Sequence, residues 1–348
     1  MAKKVYVGMS GGVDSSVTAA LLQEQGYEVT GVYMKNWSQD MPGFVCPWQE
    51  DFQDAKRVAV QLDIPFKMFD FETEYRQRVV DYLLEGYRAG ITPNPDIMCN
   101  QEIKFKLFLQ TALDDGADMI ATGHYARIFD GRLLAGTDTN KDQSYFLYRV
   151  TQDALEHSLM PIGEYEKPSV RARAKKLGLA TAEKKDSQGI CFVGKVGIKE
   201  FLQQFVESHP GKIIDQKGAV VGEHDGALFY TIGQRHGLNA GGGLPYYVVG
   251  KDMDKNEVYV TTDLQDSRLW GKVLHLASVH WINGKPDLSH ALQVRTRYRA
   301  PLVTTTYLEQ TGNESLVVEL AEEVRALTPG QSAVIYDGDI VLGGGILV

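Results

Sequence analysis

The chain has 348 residues, of which 43% are hydrophobic and 23% charged, and it carries a net charge of −9 at neutral pH. That length implies two or three domains, and the balance is that of an ordinary soluble globular protein. No apolar run approaches the roughly 18 residues of a membrane span, and the few residues before the first Gly-rich turn are too short for a secretory leader. Its three cysteines, Cys46, Cys99 and Cys191, form no Cys-x-x-Cys pair. This excludes a zinc ribbon, argues against a disulfide framework, and points to a cytosolic, reducing compartment with no membrane partner.

In chain order, strands are expected at Val5–Val7, Val29–Met34, Phe66–Phe69 and Met119–Thr122, with helices near Ser16–Gln25, Glu50–Leu62, Glu72–Arg88 and Phe105–Asp114. Gly26 and Gly116 sit where helix C-caps belong. Strands alternating with helices mean parallel pairing and right-handed crossovers, hence an α/β, doubly wound parallel sheet. Ligands of such sheets lie beyond the C-terminal strand ends, where Ser10, Met34 and Gly123 fall.

Residues 8–16 read Gly-Met-Ser-Gly-Gly-Val-Asp-Ser-Ser between the first strand and the first helix. A helix start presents unpaired N–H groups and the positive end of its dipole, so it suits an anion. Gly11 and Gly12 let the backbone approach an oxyanion, and Ser10, Ser15 and Ser16 add hydroxyls. A Walker loop would need Gly-Lys followed by Ser or Thr, and none exists in the chain. A phosphate cradle without its lysine favours gripping a leaving pyrophosphate over moving a γ-phosphoryl group.

From Thr151 to His209 the pattern turns helical and charged, and Lys167–Lys185 holds seven basic residues against one acid, Glu183. The Gly-rich stretch after Pro210-Gly211, with short runs at Val220–Val221, Leu228–Ile232, Tyr246–Val249 and Val258–Thr262, reads as a small β module. Beyond Trp270, runs at Val273–Leu276, Leu292–Tyr298, Thr304–Leu308, Leu316–Leu320, Ser332–Tyr336 and Ile340–Leu342 suggest a closed antiparallel barrel. Domains are therefore expected at 1–209, 210–266 and 267–348. A strand over Gln293–Ala300 would place Arg295, Arg297 and Arg299 on one face. Such positive faces suit a polyanion or are simply solvated.

Cys99 lies in Thr-Pro-Asn-Pro-Asp-Ile-Met-Cys-Asn (92–100), where two prolines predict a rigid loop outside any helix interior. Cys191 lies in Lys-Asp-Ser-Gln-Gly-Ile-Cys-Phe (185–192), whose cations favour a thiolate. Cys46 reads as a filler. Adenylating a carbonyl oxygen makes it a leaving group, which a sulfur nucleophile can then displace.

Ser-Gly-Gly-Val-Asp-Ser (10–15) resembles the PP-loop ATP pyrophosphatase superfamily. Together with Met-Lys-Asn-Trp (34–37), residues 92–100, Ala-Thr-Gly-His-Tyr (121–125), Lys-Asp-Gln-Ser-Tyr-Phe-Leu (141–147), residues 185–192, Thr-Arg-Tyr-Arg (296–299), Thr-Pro-Gly-Gln-Ser-Ala-Val (328–334) and Leu-Gly-Gly-Gly-Ile (342–346), it is similar, in order and along nearly the whole chain, to the tRNA-specific 2-thiouridylase family. The resemblance implies that sulfur replaces O2 of a wobble uridine in tRNA, with ATP, accompanied by Mg²⁺, converted to AMP and pyrophosphate. It implies phosphate binding by Gly8, Met9, Ser10, Gly11, Gly12, Val13, Asp14 and Ser15, with Met34 and Gly123 bordering the adenosine. Asn94, Pro95 and Asp96 would meet the flipped base, with Asp96 also a proton handler. His124, Lys141, Asp142, Gln143, Arg297, Tyr298 and Gln331 would touch tRNA.

By the same resemblance Cys99 corresponds to the nucleophile and Cys191 to the persulfide carrier. The sulfur donor would be a cysteine desulfurase or a relay carrier. No resident metal site is implied, and Asp14 reads either as a Mg²⁺ ligand or as a helix-start acid. Sulfur delivery by direct persulfide attack or by sulfide release both remain open. A PP-loop nitrogen ligase acting on a small metabolite and a non-catalytic nucleotide sensor are the competing readings.

Overall fold

The computed structural model describes residues 2–40, 45–185, 197–241 and 243–348. Its first sheet is wholly parallel: β1 (Lys4–Gly8), β2 (Glu28–Lys35), β3 (Phe66–Asp70), β4 (Met119–Ala121) and the two-residue strand Ser158–Leu159. The spatial order runs β3-β2-β1-β4 and then Ser158–Leu159, so the chain reverses its direction of growth between β1 and β4. That crevice is the topological switch point at which doubly wound sheets bind ligands. Side chains alternate across the sheet. Val5 and Val7 pack with Val17, Leu21 and Val58, which come from α1 (Val13–Glu24) and α2 (Trp48–Gln61). Tyr6 turns to the opposite layer with Ile103, Phe108 and Ile120. Gly26 and Gly116 end their helices at φ +86° and +94°, as expected.

The middle sheet runs in the order Tyr247–Asp252, Glu257–Thr261, Gly211–Ile214, Val220–His224. The expected strand at Leu228–Ile232 is absent. Ala227–Phe229 forms a 3₁₀ turn, and the Gln234 side chain, in place of a neighbouring strand, accepts from the Thr231 N–H at 3.0 Å. In the last third, Trp270–Trp281, Leu316–Arg325, Val303–Gln310, Gln293–Arg295, Ser332–Asp337 and Ile340–Leu347 pair antiparallel in that order, and the last pairs back to the first. This is a closed six-stranded barrel filled by Leu274, Val294, Val318, Leu320 and Ile335.

Other expectations change. The hairpin Ala126–Phe129/Arg132–Ala135 leaves the first third and pairs with the barrel strand Ile340–Leu347. Its turn, Asp130-Gly131, has φ +51° and +69°, and Asp-Gly between two short apolar runs is the sequence signal of such a two-residue hairpin. Thr92–Asn100 is not a loop throughout. Asn94 caps a helical turn at Pro95–Met98, which continues as a π-helix over Cys99–Phe108 and an α-turn over Leu109–Asp114. Pro95 stands at the first helical position, where its missing N–H and fixed φ start a helix. The arginine strand also stops early, at Arg295. The Ala300 N–H donates to the Arg297 carbonyl and Arg299 adopts φ +62°, so Arg295, Arg297 and Arg299 share no strand face. No helix among the described residues is long and apolar enough to cross a membrane.

Candidate active site

The loop after β1 is shaped by close approach. Gly11 adopts φ +72°, and a Cβ there would stand 2.3 Å from the Asp51 carbonyl oxygen of α2. Gly12 occupies the N-cap of α1 without any side-chain cap, so the donors of the first turn look outward to another acceptor. The Ser10 N–H donates to Ser15 Oγ at 3.2 Å, and Ser15 Oγ donates to the Gly12 carbonyl, also at 3.2 Å. Ser16 departs from expectation: its fully buried hydroxyl donates to the Gly12 carbonyl and accepts from Thr181 Oγ1, so it belongs to the core.

Two further expected residues arrive from neighbouring strand ends. Met34 Cε lies 2.9 Å from where a Gly8 Cβ would be. A Cβ on Gly123, just past β4, would stand 2.8 Å from the Ser15 nitrogen. The Gly8–Ser15 loop, Met34 and Gly123 are thus brought together at the strand ends, with the Met9 and Val13 side chains buried in the core beneath. Asp14, which the sequence allows as metal ligand or helix acid, is an ion-pair partner: Lys167 Nζ lies 2.8 Å from both its carboxylate oxygens, and Tyr125 Oη donates to Oδ1 at 2.9 Å.

The basic stretch behaves similarly. Lys167 pairs with Asp14, Arg173 with Glu24, Lys175 with Glu183, and Lys184 with Asp51 and Asp54. These cations are thus neutralised within the fold. Nothing in the sequence marks Lys167 out from its basic neighbours.

Around Cys99 the geometry is tighter than a loop would give. Asn94 Oδ1 accepts from the N–H groups of Asp96 and Ile97, which directs Pro95 and Asp96 into the first helical turn. Cys99 is 1% exposed among Tyr75, Ile103 and Phe108. Burial pushes its thiol pKa up, the Asp96 charge adds to this, and Lys104 and a Tyr75 hydrogen bond oppose it. Cys191 lies outside the described residues, so its approach to Cys99 is not part of this geometry. Cys46 is half-buried, with its thiol pKa also raised by burial.

The remaining expected residues are held by their own local partners. Asn100 Nδ2 donates to the Phe146 carbonyl at 3.1 Å, and the Phe146 ring lies 4.5 Å from that of Tyr298. Gln143 exchanges hydrogen bonds with the Tyr125 backbone. Lys141 is half-buried, its N–H donating to the Asp138 carbonyl at 3.0 Å. Asp142 is buried, with its carboxylate taken by the N–H groups of Gly136 and Ser144 and by Arg295 at 2.8 Å. Gln331 Nε2 donates to the Thr92 carbonyl at 2.8 Å, and the Thr92 N–H donates to the Pro329 carbonyl at 2.9 Å. Asp142 and Gln331 hold the architecture together, and Arg297 and Tyr298 lie on the turn beyond Arg295.

His124 is buried with Nδ1 2.8 Å from Thr122 Oγ1 and Nε2 3.3 Å from Lys104 Nζ. Burial, then the Lys104 charge, depress its pKa well below the usual histidine range, so the ring is neutral. Lys104 is invisible to sequence reasoning, since nothing in Glu-Ile-Lys-Phe-Lys separates it from Lys106.

Family profiles match in register with these three parts: a tRNA methyl transferase HUP domain over residues 3–195, a tRNA methyl transferase PRC-barrel domain over 199–262, and an aminomethyltransferase beta-barrel domain over 272–347. The chain is 49% identical to the tRNA-specific 2-thiouridylase MnmA of Halalkalibacterium halodurans, across 99% of this chain and 94% of that protein. It is 46% identical to the protein of the same name from Bacillus subtilis, again across 99% and 94%. A solved 4-thiouridine synthetase–RNA complex with bound ATP aligns at TM-score 0.39 and 16% identity, over 58% of this chain and 50% of that one, a likeness too slight to carry argument. Identity of this extent across 99% of the chain establishes descent, and the chain belongs to the tRNA-specific 2-thiouridylase family.

Proposed function

We propose that this protein is an ATP-dependent tRNA sulfurtransferase that converts the wobble uridine of tRNA to 2-thiouridine, releasing AMP and pyrophosphate. The observation that carries the reading is the near full-length identity to proteins named for that activity. The lysine-free cradle at Gly8–Ser15 supports it, because backbone donors and a helix dipole suit the departing pyrophosphate.

In this reading uridine O2 is adenylated, and a persulfide on Cys191 then attacks C2 as AMP leaves. The Cys99 thiolate attacks Cys191 Sγ, the sulfur–sulfur bond breaks, and 2-thiouridine departs with the pair. The two cysteines are left as a disulfide, which an external thiol must reduce. Release of sulfide by Cys99 before attack is the variant of this scheme. An anticodon loop is already single-stranded, so presenting the base costs no more than a few kcal/mol. Because burial holds Cys99 as a protonated thiol at rest, tRNA binding must loosen the 95–99 turn before that cysteine reacts. Mg²⁺ would enter with ATP, and the sulfur donor would be a desulfurase or relay protein acting at Cys191.

The test is nucleoside mass spectrometry of unmodified tRNA incubated with the protein, ATP, Mg²⁺ and a sulfur source. The expected result is 2-thiouridine with stoichiometric AMP, lost in both Cys99→Ser and Cys191→Ser. AMP formation indifferent to tRNA, or full thiolation by Cys191→Ser, would overturn it.

A further inference from the structure

Asp142 stands among the residues expected to touch tRNA, yet only 4% of its side chain is exposed. Its carboxylate faces inward. Oδ1 accepts from the N–H groups of Gly136 and Ser144, each at 3.0 Å, and Oδ2 accepts from Arg295 Nη1 at 2.8 Å. The segment around it is tied to the phosphate cradle. The Asp142 N–H donates to the Asp138 carbonyl at 2.7 Å, Asp138 Oδ2 accepts from the Lys167 N–H at 2.9 Å, and Lys167 Nζ meets Asp14.

Arg295 belongs to the barrel, as the last residue of the strand Gln293–Arg295. Its guanidinium lies 5.3 Å from the centre of the Tyr336 ring, and its Nε is buried without an acceptor. Asp142 is therefore the carboxylate that compensates this cation. Two residues beyond, the character of the chain changes. Arg297 and Arg299 are exposed, and among the described residues neither has a carboxylate partner. The Arg299 guanidinium lies 5.1 Å from the centre of the Tyr298 ring, which lies 4.5 Å from that of Phe146. The Phe146 carbonyl in turn accepts from Asn100, next to Cys99. Two uncompensated guanidinium groups about an aromatic ring suit single-stranded RNA, whose phosphates take the charges and whose bases take the ring.

We propose that Asp142 and Arg295 are a positioning pair, whose buried contact fixes the 297–299 turn of the barrel relative to the cradle so that tRNA held on the turn is presented to the nucleotide. The inference rests on the sulfurtransferase reading. Neither member of the pair touches RNA. Without the Asp142 charge the Arg295 guanidinium must leave its buried site for water, and the strand end from which the turn departs moves with it.

The test measures thiolation kinetics and α,β-methylene ATP affinity in Arg295→Met, Arg295→Lys, Arg297→Ala and the double variant Arg295→Met/Arg297→Ala. Arg295→Met is expected to raise KM for tRNA about tenfold, with kcat at saturating tRNA and nucleotide affinity unchanged, and with partial recovery in Arg295→Lys. Arg297→Ala should raise KM alone but add nothing in the Arg295→Met background, because a displaced turn has no contact left to lose. Additive losses, a KM for Arg295→Met within twofold of wild type, or an equal fall in nucleotide affinity would overturn the assignment. Should Arg295→Met not fold, phenylglyoxal labelling of the wild-type protein decides the matter. Arg297 and Arg299 should react and be protected by tRNA, while Arg295 resists in both states. Labelling of Arg295 that tRNA prevents would make it a direct contact and defeat the proposal, as would labelling of Arg297 and Arg299 that tRNA leaves undiminished. If the wild type makes no 2-thiouridine, the functional reading fails; 2-thiouridine formed with a KM indifferent to Arg295→Met defeats only this inference.

Discussion

Gln331, on the C-terminal barrel, donates a 2.8 Å hydrogen bond to the carbonyl of Thr92, 239 positions earlier, and so ties the barrel to the turn that starts the Cys99 helix. Thr231 of the middle domain reaches the same residue, its Oγ1 3.2 Å from that of Thr92. Three parts of the chain meet at one threonine. Gln331→Ala strips a buried backbone acceptor of its partner and is expected to cost about 1 kcal/mol. In a chain of this size that is a fall in Tm of about 2 °C, accompanied by reduced thiolation. An unchanged melting curve and unchanged 2-thiouridine yield would show that the contact does neither job.

The Lys167–Asp14 pair places a buried ammonium at the start of α1. Lys167→Met leaves a carboxylate uncompensated, and because Asp14 is partly exposed the expected cost is about 2 kcal/mol, below that of a fully buried pair. The double variant Asp14→Asn/Lys167→Met should recover part of that loss in urea unfolding. Simple additivity of the two single substitutions would argue that the pair is not coupled.

Gly11→Ala meets both a positive φ and the Asp51 carbonyl. Its expected signature is a tenfold or greater loss of α,β-methylene ATP affinity by calorimetry. Gly26→Ala supplies the contrast, being strained at φ +86° with open space around it. It should lower stability by about 1 kcal/mol while leaving nucleotide binding intact.

His124 links folding to pH. Its folded pKa lies well below the ordinary 6.5, chiefly from burial and then from Lys104. The unfolded chain therefore binds a proton the native state refuses. This contribution is fully present above about pH 6.5 and is lost as pH falls below that value. Urea unfolding at pH 7.5 and 5.5 should show the drop in wild type and a smaller one in His124→Gln. Identical pH slopes would remove His124 from the account.

Cys99 should resist alkylation at neutral pH, since burial keeps it protonated and out of reach. Peptide mass spectrometry after brief iodoacetamide treatment is expected to find it largely unmodified in the free protein. Labelling should rise when ATP and tRNA are present, and equal labelling in both states would contradict an opening of the 95–99 turn.

Local chemistry makes much of this protein legible from sequence. The short apolar runs Val5–Val7 and Val29–Met34, the glycines at the ends of two helices, and the Ser-Gly-Gly-Val-Asp-Ser string each depend on neighbours within a few positions. The parallel sheet and the cradle at its switch point follow from them. The Pro-rich 92–100 segment misleads because proline both breaks helices and begins them, and only the Asn94 cap decides which.

What the sequence alone determined, then, was the layered first domain and the barrel at the end. Tertiary structure decided how the charges are partnered. Asp14 meets Lys167 across 153 positions, Arg295 meets Asp142 across another 153, and Lys104 Nζ lies 3.3 Å from His124 Nε2. Such pairings are set by the need to satisfy buried charges once the domains dock, and no periodicity along the chain encodes that need.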